Sequence, residues 1–291
     1  MRIGVLLFPA DPWPQTVARA RHLESLGYAH LWTYDHLSWR RYRDEPWHAT
    51  VPWLTGLAAA TSRVRLGTMV TSPNFRHPVT LAKDAMTLDH ISEGRLTLGV
   101  GAGGTGFDAT VLGGEAPEPK ERTARFVEFT EVLDAVLREP AHSHRGQHYT
   151  ADEARTYPGC VQRPRVPLAI AAAGPRALDL AARVGEGWIT YGEPNAADQS
   201  AAATEAAVRR QAAILNERLA AHGRPAGAIE RYFLVGNTAE RPLASVDAFE
   251  DFVGRYERLG FTDIVFHDPR PGDPVFTEDP KVVDAIAERC C

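Results

Sequence analysis

Short apolar runs alternate with amphipathic segments along most of the chain. The runs are bounded by glycine, proline or polar residues, which is typical of buried strands. They lie at residues 2–8, 29–34, 64–71, 95–104, 166–174, 187–192, 230–237 and 262–267. The segments between them repeat apolar side chains at helical spacing. They predict helices at 14–26, 51–62, 79–92, 121–138, 176–185, 198–222 and 278–289, with another along the stripe from Phe249 to Leu259.

Eight strand-then-helix units follow from this alternation. Continuous apolar strands separated by amphipathic helices indicate a parallel sheet covered by helices. Eight such units in 291 residues fit a closed (β/α)8 barrel, a TIM barrel, better than an open sheet. We therefore expect an α/β fold with one barrel domain over residues 1–291. Segments 104–120 and 140–165 lack helical or strand periodicity, and they predict insertions at the C-terminal face of the strands, the second as an excursion over the barrel.

Composition narrows the class of protein without changing this fold. The net charge of −5 is modest, with charges of both signs interspersed, so nucleic acid is not an expected partner. No apolar run approaches the length that a membrane helix needs, and no membrane partner is expected. The first apolar run ends at Pro9, which fits a core strand rather than a signal peptide. Three cysteines without metal spacing, two of them the terminal Cys290 and Cys291, fit a cytoplasmic protein.

The residues directly after the strands are the candidates for chemistry, because TIM barrels build their sites there. The segment "TYDHLSW" after the second strand offers Asp35, His36 and Trp39. An imidazole titrates near neutral pH and can move a proton, whereas a histidine at a strand end is also compatible with simple hydrogen bonding. Asp35 could orient His36 or act only as a structural residue. His142, His144 and His148 lack the spacing of a zinc site, so no metal is expected.

Two glycine-containing strand ends predict a bound ligand. Gly101, Gly103 and Gly104 follow the fourth strand, where glycine allows a flat ligand to approach the backbone. The other segment feeds a helix whose free N–H groups suit a phosphate, and its residues are Ala172, Ala173, Gly174 and Pro175. The glycine pattern lacks the acidic residue of a dinucleotide fingerprint. Together the two segments indicate an extended, phosphate-bearing ligand.

The run "GTMVTSPNFRHPVTLAKDAMTLDHISEGRLTLGVGAGG" resembles the luciferase-like flavin-dependent oxidoreductases. The Asp-His pair after the second strand, "RGQHY" and "AAAGPRALDLAARVGEGWITYG" point to the same family. The resemblance is close over about residues 1–192 and looser beyond. It implies a barrel that binds FMN or the deazaflavin coenzyme F420 in its mouth and acts on a small-molecule substrate. Family members often pair their barrels, so a homodimer is compatible with the resemblance.

The resemblance also implies roles for particular residues. The Asp-His-x-x-Trp pattern is similar to the deazaflavin-dependent dehydrogenases, where the histidine lies close to the reactive ring carbon and the tryptophan walls the substrate cavity. It implies a non-prolyl cis peptide that props the ring, here within Met69, Val70 and Thr71. Substrate-lining residues are expected at Trp39, Phe107, Asp108 and Tyr191.

Three functions remain open from the sequence. The favoured one is hydride transfer with coenzyme F420, with His36 as proton donor or acceptor. The second is FMN-dependent monooxygenation, and the third is a flavin-binding barrel without turnover. A lyase or isomerase using the phosphate cradle is disfavoured, because Lys83, Lys120 and Lys281 are the only lysines and none stands at a predicted strand end. The sugar-phosphate dehydrogenases of the family carry a lysine shortly after the sixth strand, where this chain has "TYGEP".

Overall fold

The apolar runs of the sequence close into a parallel barrel of eight strands. The computed structural model describes residues 1–193, 199–236 and 239–290. The barrel strands are β1 (Arg2–Leu6), β2 (His30–Thr33), β3 (Arg65–Thr71), β4 (Leu96–Val100), β7 (Leu168–Ala171), β8 (Gly187–Thr190), β9 (Glu230–Leu234) and β10 (Asp263–His267). Around the ring they follow in chain order, and β10 pairs with β1. The predicted fold class is therefore confirmed.

Eight helices alternate with the strands within the part of the chain that the structure describes. They are α1 (Trp13–Ser25), α2 (Thr50–Ala60), α3 (Pro78–Ile91), α4 (Pro119–Arg138), α5 (Pro175–Val184), α6 (Ala201–Ala221), α7 (Val246–Arg258) and α8 (Lys281–Cys290). Their apolar faces form an outer core with the outward side chains of the strands, including Leu31, Leu133 and Phe252. Two predicted elements, the strand to residue 237 and the helix from 198, extend into residues outside the described ranges, as does Cys291.

The segment after α4 corrects one expectation. Residues 140–165 contain an antiparallel hairpin, β5 (Ala141–Arg145) with β6 (Thr150–Arg155). Glu128 on α4 accepts hydrogen bonds from the backbone N–H groups of His148 and Tyr149 at its tip. The Lys83 ammonium on α3 donates to the carbonyl of Tyr157 beyond it. These contacts place the hairpin along the outer wall of α3 and α4, so the predicted excursion over the barrel is wrong.

The floor of the barrel is a buried polar network. Asp263 is fully buried and accepts two hydrogen bonds from the Arg2 guanidinium, at 2.8 and 2.7 Å. The His30 Nε2 lies 2.7 Å from the same carboxylate, and the Trp32 indole N–H donates to His30 Nδ1 at 2.9 Å. Burial raises the pKa of Asp263, but His30 and Arg2 outweigh it and hold that pKa below its usual value. The floor therefore holds a charged carboxylate whose partners surround it.

The opposite, C-terminal face carries the long connections. Residues 34–49 join β2 to α2, residues 101–118 join β4 to α4, and residues 268–280 join β10 to α8. The predicted strand 95–104 ends at Val100, so its glycines belong to the second of these loops. No helix in the described ranges is long and apolar enough to cross a membrane.

Candidate active site

The end of β3 forms a bulge that projects into the mouth of the barrel. The Met69–Val70 peptide is cis, which confirms the predicted non-prolyl cis bond, and the pairing with β4 shifts between Thr68 and Thr71. Thr71 is buried, whereas Val70 is half-buried. A Cβ at Gly101 would lie 2.6 Å from Val70 Cγ2, so glycine is required there for the bulge to fit. Val70 therefore presents an apolar ledge at the centre of the mouth.

Glycines leave open space beside this ledge. Gly103 has a φ of +75°, a conformation that favours glycine, and the Asn74 amide donates to the Gly104 carbonyl at 3.1 Å. The nearest atom to a Cβ at Gly104 would be 3.9 Å away, and a Cβ at Gly106 would meet nothing within 4 Å. The loop is anchored by Asn74 and offers bare backbone to a flat ligand.

The start of α5 is uncapped and exposed. Gly174 is its N-cap and makes no side-chain capping bond, and Pro175 occupies the first turn. A Cβ at Gly174 would meet no atom within 4 Å. The Trp188 indole fixes the preceding backbone by donating to the Ala172 carbonyl at 2.8 Å, and Ala173 lies half-buried between the two. The free N–H groups and the positive end of the helix dipole favour an anion here.

His36 is oriented by an aspartate from another loop. Its Nδ1 lies 2.5 Å from Asp108 Oδ2, and since a carboxylate only accepts, Nδ1 carries the hydrogen. The other oxygen of Asp108 accepts from the Leu37 backbone N–H at 3.0 Å. Asp108 is buried and His36 is one-third exposed at 33%. The ring is thereby held with its Nε2 left for a ligand.

Asp35 does not have the orienting role considered for it. Its carboxylate is 1% exposed and accepts both hydrogen bonds of the Arg76 guanidinium, at 3.0 and 2.7 Å. Asp35 and His36 thus face different surroundings, the first bound to Arg76 and the second to Asp108. Asp35 is therefore a structural ion-pair partner of Arg76. The residue that orients His36 is Asp108, which was predicted to line the substrate pocket.

Aromatic side chains wall the mouth next to His36. Trp39 is buried, and its ring centroid lies 4.9 Å from Tyr34, 5.9 Å from Trp47 and 6.4 Å from His36. The Trp47 indole N–H donates to the His36 carbonyl at 3.0 Å. Phe8 completes the cluster at 5.0 Å from Trp39. This wall supports the cavity-lining position predicted for Trp39, and Phe8, Tyr34 and Trp47 are members that the motif did not reveal.

The other two predicted lining residues lie farther out on the rim. Tyr191 follows β8 and is 38% exposed, and Phe107 lies half-buried beside Asp108. Their exposure leaves both rings free to meet a substrate that enters the mouth.

Each of the three histidines considered as metal ligands, His142, His144 and His148, has a carboxylate neighbour of its own. In the described ranges no group of three or more His, Cys, Asp or Glu could hold a metal ion.

Tyr34 and His267 form a buried neutral pair under the aromatic wall. The Tyr34 hydroxyl lies 2.6 Å from His267 Nε2. Burial raises the pKa of Tyr34 and lowers the pKa of His267 to about 3, against the opposing effect of the Val235 backbone. The imidazole is therefore uncharged at neutral pH and accepts from the hydroxyl through Nε2.

This pair predicts a loss of stability in acid. The pKa of His267 rises from about 3 in the folded protein to its ordinary 6.5 in the unfolded chain, so unfolding takes up a proton between those values. Stability from this residue is present above pH 6.5 and falls as the pH drops, by up to about 1.4 kcal/mol per pH unit. Urea unfolding at a series of pH values measures the slope. His267→Gln is expected to flatten it, and an unchanged slope in that variant would contradict the assignment.

Comparison with known proteins decides which family carries this site. A model of the family described as luciferase-like monooxygenase matches residues 1–273. The chain belongs to the luciferase-like monooxygenase family. This membership confirms the resemblance seen in the sequence.

Two curated relatives of this luciferase-like protein are named as F420-dependent dehydrogenases. The F420-dependent glucose-6-phosphate dehydrogenase of Beutenbergia cavernae is 31% identical over 298 residues, covering 88% of this chain and 87% of that protein. The F420-dependent hydroxymycolic acid dehydrogenase of Mycobacterium tuberculosis is 32% identical over 194 residues, covering 64% of this chain and 52% of that protein. Sequence similarity to deazaflavin dehydrogenases thus extends over most of the luciferase-like domain.

Solved structures agree on the fold of the luciferase-like chain. An F420-dependent secondary alcohol dehydrogenase in complex with an F420–acetone adduct superposes with a TM-score of 0.81 at 18% identity, covering 99% of this chain and 97% of that one. The monooxygenase RslO1 from Streptomyces bottropensis gives a TM-score of 0.75 at 23% identity, covering 100% and 98%. At these identities the likeness establishes the luciferase-like barrel, and function is argued from the site.

Proposed function

We propose that this protein is an oxidoreductase that uses coenzyme F420 to transfer a hydride to or from a small organic substrate. The observation that carries the proposal is the contact between His36 and Asp108, which holds an imidazole at the mouth of a luciferase-like barrel. The name of one relative supports the coenzyme, because the protein that aligns with 88% of this chain is an F420-dependent dehydrogenase.

The residues present fit such a coenzyme. The Val70 ledge and the open backbone of Gly104 suit a flat ring, since no side chain occupies the space beside them. The uncapped start of α5 at Gly174 suits the phosphate that links the ring system to its tail. Deazaflavin, when bound, supplies a carbon that exchanges a hydride with substrate and does not react readily with oxygen.

The chain supplies proton handling and water exclusion for that exchange. Oxidation of an alcohol to a carbonyl releases a hydride and a proton together, and His36 Nε2 is placed to take the proton. Asp108 keeps the opposite nitrogen hydrogenated, so Nε2 is the accepting atom when the ring is neutral. The aromatic wall of Trp39 and Trp47 covers this side of the mouth and limits the access of water.

The lysine that the sugar-phosphate dehydrogenases carry after the sixth strand has no counterpart among the described residues after β8. Lys83 is bound to the Tyr157 carbonyl on the outer wall, and Lys120 and Lys281 begin α4 and α8. After β8 the described residues are Tyr191, Gly192 and Glu193, which offer no cation. We therefore do not propose glucose 6-phosphate, the substrate in the name of the Beutenbergia relative, as the substrate of this chain.

Paired titrations test the coenzyme assignment. Purified protein is titrated with coenzyme F420 and with FMN, following ligand fluorescence, and is then assayed with a panel of secondary alcohols and ketones. Micromolar binding of F420 with turnover supports the proposal. Binding of FMN alone would replace hydride transfer by oxygen chemistry, and binding without any turnover would indicate a flavin-binding barrel. A homodimer and a cytoplasmic location stay predictions, and light scattering measures the first.

A substitution at the start of α5 tests the phosphate cradle. Gly174→Val fills open space without meeting protein atoms, so we expect unchanged thermal stability and coenzyme binding weakened by about tenfold or more. Gly227→Val is the matched control, because a Cβ there also meets nothing within 4 Å and the residue precedes β9 at the opposite face. Equal coenzyme affinities in the two variants would contradict the cradle.

A further inference from the structure

Two arginines of the loop after β2 lie on the aromatic side of the mouth. The Arg40 guanidinium lies 5.0 Å from the ring centroid of Trp39, and that of Arg43 lies 4.9 Å from Phe107. Trp39 stacks against His36, and Phe107 precedes Asp108, the partner of His36. The two cations therefore stack on rings from the two loops that carry the proton-handling pair, His36 and Asp108.

These arginines differ from three others near the mouth in having no acidic partner. Those three arginines are neutralised by carboxylates. The pairs are Arg41 with Asp273, Arg76 with Asp35 and Arg270 with Asp11. Within the described ranges Arg40 and Arg43 make no ion pair, and both side chains are exposed. A guanidinium stacked by its face on an aromatic ring keeps its N–H edge free for a planar anion.

The charge of Arg40 acts on the interior of the site. Burial has the largest effect on the pKa of Tyr34 and on that of His267, and the positive charge of Arg40 lowers both pKa values. The Arg40 guanidinium lies over the Trp39 ring and thus over the aromatic wall. An anion bound there would lie next to the wall and close to His36.

Several exposed side chains of the same rim are apolar. Leu37, Val111 and Leu112 are exposed on the two loops that meet at His36, and Leu112 is 72% exposed. Tyr191 is exposed on the other side, after β8. Exposed apolar side chains gathered at the rim of a pocket mark a surface that binds an apolar ligand.

We propose that Arg40 and Arg43 bind the acid group of the substrate, and that the substrate is an amphipathic organic anion, a carboxylate attached to an apolar body. This inference rests on the proposed function, since it places the reacting carbon of that substrate near His36. The α5 cradle follows β7, three strands around the ring from β2. The arginines are thereby separated from the position argued for the coenzyme phosphate, and they serve the substrate.

A matched pair of probes tests the proposal. Naphthoate and naphthamide share one apolar body and differ in charge, and their binding is measured by calorimetry with and without coenzyme F420. We expect naphthoate to bind at least about tenfold more tightly. The double variant Arg40→Gln/Arg43→Gln is expected to remove this preference, and the corresponding double lysine variant to keep part of it. Arg258→Gln, an exposed arginine at the end of α7 on the opposite face, is expected to leave it unchanged.

Three results would overturn the proposal. They are equal binding of the two probes, no binding of either, and a preference that survives in the double glutamine variant. Loss of F420 affinity in that variant, with the naphthoate preference intact, would assign the arginines to the coenzyme instead. The F420 titration of the wild-type protein keeps the proposals apart. Its failure overturns the proposed function, whereas normal F420 binding without a charge preference overturns only the substrate class.

Discussion

Replacing His36 with glutamine is expected to lower kcat for hydride exchange by about 100- to 10,000-fold, while the affinity for coenzyme F420 stays unchanged. Glutamine keeps a polar side chain of similar length but cannot take a proton at neutral pH. The contact with Asp108 fixes the ring, and the proposed cradle for the coenzyme lies on β3, β4 and α5. The loss therefore falls on proton transfer rather than on binding.

Single-turnover kinetics with an alcohol found in the substrate panel measure this effect. His22→Gln is the matched control, because His22 is on α1 and pairs with Asp284 on the outside of the barrel. Asp108→Asn should give an intermediate loss, since asparagine fills the same space but holds the ring less strongly. If His36→Gln kept wild-type kcat, the role of His36 would be structural.

Asp263→Ala is expected to lower the free energy of unfolding by about 3–5 kcal/mol, the largest stability effect of a single substitution considered. The carboxylate is fully buried and has Arg2, His30 and Thr262 as partners. Alanine removes the central anion and leaves the polar groups of the barrel floor without it. A polar group that is buried without a hydrogen-bond partner has lost its contacts with water and makes none in the protein, which destabilises the folded state.

Urea unfolding with far-UV circular dichroism measures the change. Asp251→Ala is the control, because Asp251 is 71% exposed and its pair with Arg255 is screened by solvent. The lowered pKa of Asp263 gives the sign of the pH dependence, since its contribution is present above the pKa of the unfolded carboxyl and is lost as the pH falls through the folded value. A loss no larger than that of the control would show that the floor network is dispensable.

The barrel was predictable because its strands carry an unambiguous apolar pattern. Residues of β4 and β10 are buried along their whole length, as expected for strands covered on both faces. The β5–β6 hairpin was not predictable, because its strands lack such an apolar pattern. Its strands read "AHSHR" and "TADEAR". Residues of the first are alternately exposed and half-buried, most of those in the second are exposed, and neither strand carries an apolar stripe. Its position depends on Glu128 and Lys83, which are contacts between distant parts of the chain.

The sequence predicted where the site residues lie, at the ends of the strands, but not which side chains contact one another. His36, Gly101 and the Met69–Val70 bond lie where strand ends and family motifs indicate. Asp35 adjoins His36 in sequence and was therefore considered as its partner, but the Asp35 carboxylate binds Arg76 instead. Asp108 stands 72 residues away, and its loop comes close to that of His36 because β2 and β4 both pair with β3. Arg76 was missed for the same reason, since nothing near it in sequence marks it as the partner of Asp35.

The bridge between the two loops also constrains how such enzymes can diversify. Asp108 grips both the His36 ring and the Leu37 backbone, and the same two loops carry the apolar rim and the unpaired arginines. Replacing residues 101–118 with those of a relative would change the substrate-lining residues and, at the same time, the residue that orients His36. Substrate preference and acid–base competence are thus coupled, and a graft of either loop alone is expected to disturb both.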